Sequence, residues 1–158
     1  MIRSTNVSTP KLNLTRKYSQ SDHWKPRGLW YSINESWIKW CKDNMDHWIK
    51  PYNIEIEIDE SKMCIIKTPE DLDKFVETYV HPSNRTPNEY WSRQVNWNDV
   101  VKDYSGIEIQ NYSSIKYYRT YKMTQMWFDG WDVSSGCIWD LSIIKKCQTV
   151  NQTKNEKK

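Results

Sequence analysis

Alanine is absent from this chain, and glycine, phenylalanine and histidine are scarce, with four, two and three copies in 158 residues. A core without alanine has to be filled by large side chains, here Trp, Tyr and Ile. No stretch approaches the roughly 20 consecutive apolar residues of a membrane span. The N-terminal residues are polar, with no apolar run after Arg3, so a secretory leader is not expected either. The four cysteines, Cys41, Cys64, Cys137 and Cys147, share no C-x-x-C spacing, and His23, His47 and His81 do not cluster with them. That pattern predicts no metal, because zinc sites draw on grouped Cys and His. It leaves free thiols in a soluble protein of a reducing compartment, the cytoplasm, or the host cytoplasm if the chain is viral. No excess of one charge is present either: 23 basic and 20 acidic residues give a net charge of +3. This is too balanced for charge alone to announce a nucleic-acid binder.

What the chain has in quantity is tryptophan, ten copies, alongside ten tyrosines. Mean hydropathy is −0.90, yet 14% of residues are aromatic. That content argues against disorder, since disordered chains lack the large apolar groups that offset chain entropy.

Residues 1–11 read as a loose polar segment, 12–144 as one globular domain and 145–158 as a polar tail. A first strand is expected over Leu12 to Tyr18 and a second over Gly28 to Ser32. Ser32 stands three before Glu35, a capping-box pattern. Trp37, Trp40, Cys41, Met45 and Trp48 then recur at helical spacing and read as a core stripe. Ile54, Ile56 and Ile58 alternate with acidic residues as in a half-buried strand, and Met63 to Ile66 read as its hairpin partner. Thr68-Pro69-Glu70-Asp71 opens a helix, with Thr as cap and acids at the positive end of the dipole. A third helix is expected over Asn96 to Tyr104, stopped by Gly106 in a left-handed cap. A strand follows over Ile107 to Gln110, Asn111 to Gln125 resist assignment, and a last strand covers Cys137 to Ile144. The sum is an α+β domain with a mainly antiparallel, possibly split, sheet flanked by three helices.

Two words concentrate rigid rings beside scarce glycine. Lys25-Pro26-Arg27-Gly28-Leu29-Trp30-Tyr31-Ser32 reads either as a ligand-approaching turn or as a plain strand start with Trp30 in the core. Trp131-Asp132-Val133-Ser134-Ser135-Gly136-Cys137-Ile138-Trp139 reads either as a ring-lined pocket or as a packed turn. A flat ligand stacking there gains about 0.5–2 kcal/mol per good contact. Trp30, Trp131 and Trp139 are the candidate pocket walls. Asp132 either holds a ligand or caps the turn. Glu108, between Ile107 and Ile109, points to the opposite side of the sheet from them. It is either a carboxylate poised for a developing positive charge or part of a solvated face. His23 and His81 read as solvent-facing, and Cys137, beside Ile138 and Trp139, as an inert buried thiol.

Taken in order, these words resemble a group of proteins found in bacteria, phages and large viruses, and through it the ADP-ribosyltransferase superfamily. The resemblance runs from Arg16 to Asp140. It implies a split sheet gripping NAD, consumed as substrate, with ADP-ribose passed to a protein or nucleic-acid acceptor or to water. It implies a basic residue on the first strand, for which Arg16 is nearest, and contacts from Gly28, Leu29, Trp30, Tyr31 and Ser32. Glu108 would position the ribose; Asp132, flanked by Ser134 and Ser135, is the alternative carboxylate. The Glu-x-Glu or Gln-x-Glu word of that superfamily is missing: Glu108-Ile109-Gln110 has the pieces reversed. A non-enzymatic interaction module with a Trp-rich surface is the second reading, and a nucleic-acid binder that stacks bases on Trp and Tyr is the third, with the near-neutral charge against it.

Overall fold

In the computed structural model, residues 1–21, 24–82, 93–119, 127–128 and 130–151 are described. His23, residues 83–92 of the expected surface loop and residues 152–158 of the expected tail lie outside them, as does the side chain of His81. The fold is α+β, with one continuous seven-stranded sheet rather than two separated halves. Its strands are β1 (Arg3–Val7), β2 (Leu29–Ile33), β3 (Tyr52–Ile58), β4 (Met63–Ile66), β7 (Gly106–Ile109), β8 (Ser135–Ile138) and β9 (Ile144–Asn151). They lie in the order β4-β7-β8-β2-β1-β3-β9. All neighbours are antiparallel except β4 and β7. A two-stranded ribbon, β5 (Val80–Pro82) with β6 (Arg93–Val95), stands apart.

Among the described residues there are four α-helices: α1 (Ser36–Asn44), α2 (Pro69–Tyr79), α3 (Trp97–Asp103) and α4 (Tyr112–Arg119). The last falls in the stretch whose composition gave no assignment. α2 starts as its sequence dictates: Thr68 and Asp71 form a reciprocal capping box with Pro69 in the first turn. Leu72, Phe75 and Tyr79 are its buried stripe.

The segment 1–11, expected to be loose, contains a strand. Arg3–Val7 forms a strand inside the sheet, between β2 and β3. Its polar composition hid it, and each polar group has its own reason to be buried. Arg3 meets a carboxylate, Thr5 Oγ1 donates to the Trp30 carbonyl, and Ser4 lies on a cleft floor. The expected strand over Leu12 to Tyr18 reduces to a single bridge, Lys17 with Asp140. Ile144–Asn151, read as tail, is the edge strand β9; Lys145 to Thr149 are exposed there, as suits a guarded sheet edge. Gly106 is the first residue of β7 and has no left-handed conformation. Ser32 does not cap α1, because it is still paired within β2; the chain turns afterwards through Asn34 and Glu35, both left-handed, with φ of 51° and 59°.

The expected β3–β4 hairpin is also absent, and its absence shapes the molecule. β3 and β4 are joined by only residues 59–62 yet lie five strand positions apart. In a flat sheet that separation is about 24 Å, at about 4.8 Å per strand. Five residue steps reach at most about 17 Å. The sheet therefore curls until Ile58 and Met63 meet, and both belong to one core cluster with Leu29, Tyr31, Leu141 and Ile144. The second cluster packs α2, α3 and α4 on the outer face over Ile107, Ile109 and Cys137, with Trp97, Trp127, Trp131 and Trp139 among its members.

Because β1 joins β2 to β3, deleting residues 1–7 should abolish cooperative unfolding in a thermal melt followed by circular dichroism. An unchanged melt would show that the strand is dispensable.

Candidate functional site

Strand pairing decides which side chains share a face. Ser4, Ser32 and Ser135 are aligned across β1, β2 and β8, so three hydroxyls form a row on the outer face. Arg3, Tyr31 and Glu108 occupy the alternate positions and point to the inner, concave face. Glu108 pairs with Gly136, which in turn pairs with Tyr31.

On the inner face these three residues form a closed polar network. The Glu108 carboxylate is 0% exposed. It accepts from Arg3 Nε at 2.5 Å, Arg3 Nη2 at 3.0 Å, the Tyr31 hydroxyl at 2.6 Å and Gln110 Nε2 at 2.6 Å. Arg3 Nη2 also donates to Glu60, 2.6 Å away. Gly136 makes this possible: a Cβ there would stand 2.4 Å from the Tyr31 ring and hydroxyl. Burial alone would raise the Glu108 pKa, but hydrogen bonds from Arg3, Tyr31 and Gln110 outweigh it and hold the carboxyl below its ordinary value. Burial, reinforced by the Glu108 charge, pushes the Tyr31 phenol well above its ordinary range. Arg3 loses by burial but gains more from Glu108 and Glu60, and stays protonated. A carboxylate whose lone pairs are all engaged is a strut rather than a free base.

On the outer face the same strands floor a cleft of about 590 Å³. Ser4, Ser32, Ser135 and Asn6 form the floor, and Trp30, Trp37, Trp48 and Trp131 the walls. Lys25, Lys50 and Asp132 are its charged residues. The Trp30 and Trp131 rings meet edge to face with centroids 4.9 Å apart, and Lys25 Nζ lies 5.4 Å from the Trp30 centroid. Gly130 lets the Lys25 stem pass, since a Cβ there would be 2.5 Å from Lys25 Cε. Asn6 fixes the Trp48 side of the cleft: its amide donates to the carbonyls of Lys50 and Tyr52 and accepts from the Lys50 N–H. Ser4, only 3% exposed, has a hydroxyl with no partner in the protein. A buried hydroxyl without a partner retains hydrogen-bonding capacity for something brought to it.

The residues singled out from sequence therefore divide. Trp30, Ser32, Trp131, Asp132 and Ser135 line the cleft, and Tyr31 contributes to its lining although its hydroxyl meets Glu108. Glu108 and the Tyr31 ring lie on the other side of the sheet, with Leu29 in the core there. Arg16 is exposed and stacks on Tyr18 at 4.3 Å, outside the cleft. Gly28 is a packing contact, where a Cβ would stand 2.4 Å from the Ile138 carbonyl. Ser134 serves the backbone, its hydroxyl accepting from Tyr112 N–H and its carbonyl from Ile33 N–H. Trp139 is core, with its indole N–H donating to the Tyr104 carbonyl. Trp37 and Trp48, read as core stripe, are cleft walls instead. Helical spacing could not distinguish the two roles. Ser4 and Asn6 became visible only once the N-terminal strand was placed.

Among the described residues no group of three His, Cys, Asp or Glu is placed to hold a metal ion, and no helix is long and apolar enough to cross a membrane. All four cysteines are free, and burial raises the thiols of Cys41, Cys64 and Cys137, Cys64 to about 12. No family model matches the sequence, and searches of curated proteins and of solved structures return no match.

Glu108→Gln should cost about 3 kcal/mol, since it leaves the buried Arg3 with only the half-exposed Glu60 as counter-charge. The Glu108 pKa lies below 4.5 in the folded protein. Its stabilisation is therefore complete above the unfolded value and lost as pH falls through the folded one. Urea unfolding at neutral pH and near pH 3 should show wild type losing more stability on acidification than the Gln variant. Equal losses would remove Glu108 from that role.

Proposed function

We propose that the outer cleft binds a planar, anionic ligand of the nucleotide class, NAD among the candidates, as a binding site rather than a centre of group transfer. The observation that carries this reading is the cleft's composition: the indoles of Trp30, Trp37 and Trp48 backed by the buried Trp131, a row of three hydroxyls, and two lysines against one aspartate. Indole faces take a flat base, the lysines take phosphate, and the Ser32 hydroxyl faces the same floor for a base edge or ribose. Lys25 already rests on Trp30, so a cationic ligand would compete with a tethered cation for the same face.

ADP-ribosyl transfer, with a protein or nucleic acid as acceptor, is the second reading, and one observation favours it. The resemblance asks for a basic residue on the first strand, a Ser or Tyr on the second and a Glu on a late strand. Arg3, Tyr31 and Glu108 occupy these positions and touch one another. Against it, Glu108 is sealed from solvent on the face away from the cleft, which leaves Asp132 as the cleft's own carboxylate.

Calorimetric titration with AMP and NAD tests both. Binding should weaken about tenfold or more in Trp30→Ala and several-fold in Lys50→Ala, with no nicotinamide released from NAD. Absence of binding by either ligand would contradict the nucleotide reading. Nicotinamide release abolished by Asp132→Asn would instead establish cleavage of NAD at this site, with ADP-ribose passed to water in the absence of an acceptor.

A further inference from the structure

The aromatic wall of the cleft continues onto the outside of the molecule. Trp37 and Trp48 line the cleft; Trp40, outside the lining, stacks on Trp37 with centroids 5.2 Å apart and planes 9° from parallel. Trp48 lies 6.1 Å from each of them. None of the three belongs to either core cluster, and Trp48 is 44% exposed. The same chain buries Trp97, Trp127 and Trp131 almost completely, so its tryptophans are not left outside for want of a core. A contiguous solvent-facing group of rings beside a cleft marks a surface that receives something.

The chemistry of that surface narrows the occupant. Its stacking geometry suits flat groups, and such groups arranged in series must present their faces, as the bases of a single strand do and those of a duplex do not. Lys25 and Lys50 at the cleft supply cations for a backbone of phosphates. We propose that the cleft and the Trp37–Trp40–Trp48 patch together form an interface for single-stranded nucleic acid, with one base in the cleft and its neighbour on the patch. This rests on the nucleotide reading of the cleft. It also fits the modest net charge of +3, because affinity comes chiefly from stacking. Two phosphate contacts give a slope of log affinity against log salt of about −1.4.

Calorimetry with thymidine monophosphate and with an oligothymidylate of about eight nucleotides, inside the usual span of such sites, tests the extension. The oligomer should bind about tenfold tighter than the monophosphate, one good stacking contact. Trp40→Leu should remove that gain and leave monophosphate affinity unchanged, whereas Trp40→Tyr, which keeps a stacking face, should retain most of it. Thermal melts of both variants establish that they are folded. Equal affinity for monomer and oligomer, no effect of Trp40→Leu, or a salt slope steeper than about −4 would overturn the extension while the cleft reading stood. Failure of both thymidine ligands to bind, with AMP and NAD also failing, would remove the cleft reading itself.

Discussion

The pairing of Arg3 with Glu108 is the interaction on which the rest of this structure depends. It joins residues 105 apart in sequence, on strands separated by β2 and β8. Across a flat sheet, three strand spacings are about 14 Å; the curl forced by the short β3–β4 link shortens that chord. Gly136 then clears the space, and Tyr31 leans over it to share the carboxylate. Burying two charges is costly unless every lone pair and proton is used. Here each Glu108 oxygen accepts two hydrogen bonds, and Arg3 uses Nε and Nη2. Arg3 also reaches Glu60, in the link that forces the curl, so the network ties the N-terminal strand to the point where the sheet bends.

That network also explains the division of labour between the faces. Strand alternation sends Arg3, Tyr31 and Glu108 inward, and by the same geometry turns Ser4, Trp30, Ser32 and Ser135 outward. The inner face is closed by aliphatic side chains and the outer face is left with hydroxyls between rings. A single-residue slip of β1 would exchange the two sets. The ion pair, which has no partner in the slipped register, thus fixes the floor of the cleft as well as the interior.

Much of this was legible in the sequence where local chemistry decides structure. The Thr68 capping box, the alternating Ile54, Ile56 and Ile58, and Glu108 opposing its isoleucine neighbours needed no knowledge of distant residues. Trp30, Asp132, Ser32 and Ser135 were legible as candidates because they sit in words that set rings and hydroxyls beside scarce glycine. What stayed hidden depends on pairing at long range. Arg3–Val7 is polar for three separate tertiary reasons, so no periodicity marks it. The β3–β4 hairpin was the simplest reading of two adjacent strands, but β1 and β7 outcompeted it as partners. Trp37, Trp40 and Trp48 have the spacing of a core stripe, and only packing shows that the core lies elsewhere.

The Arg3 network ties the sheet together on one face, and the binding proposed for the cleft belongs to the opposite face. The triple replacement Arg3→Met, Tyr31→Phe and Glu108→Leu removes the network's charges and its phenol together, a change that well-packed apolar groups can tolerate. Measuring its affinity for AMP by calorimetry is the most direct test. A folded triple variant that binds with wild-type affinity is the predicted result. A folded variant that has lost binding would contradict the account and return Glu108 to the functional site.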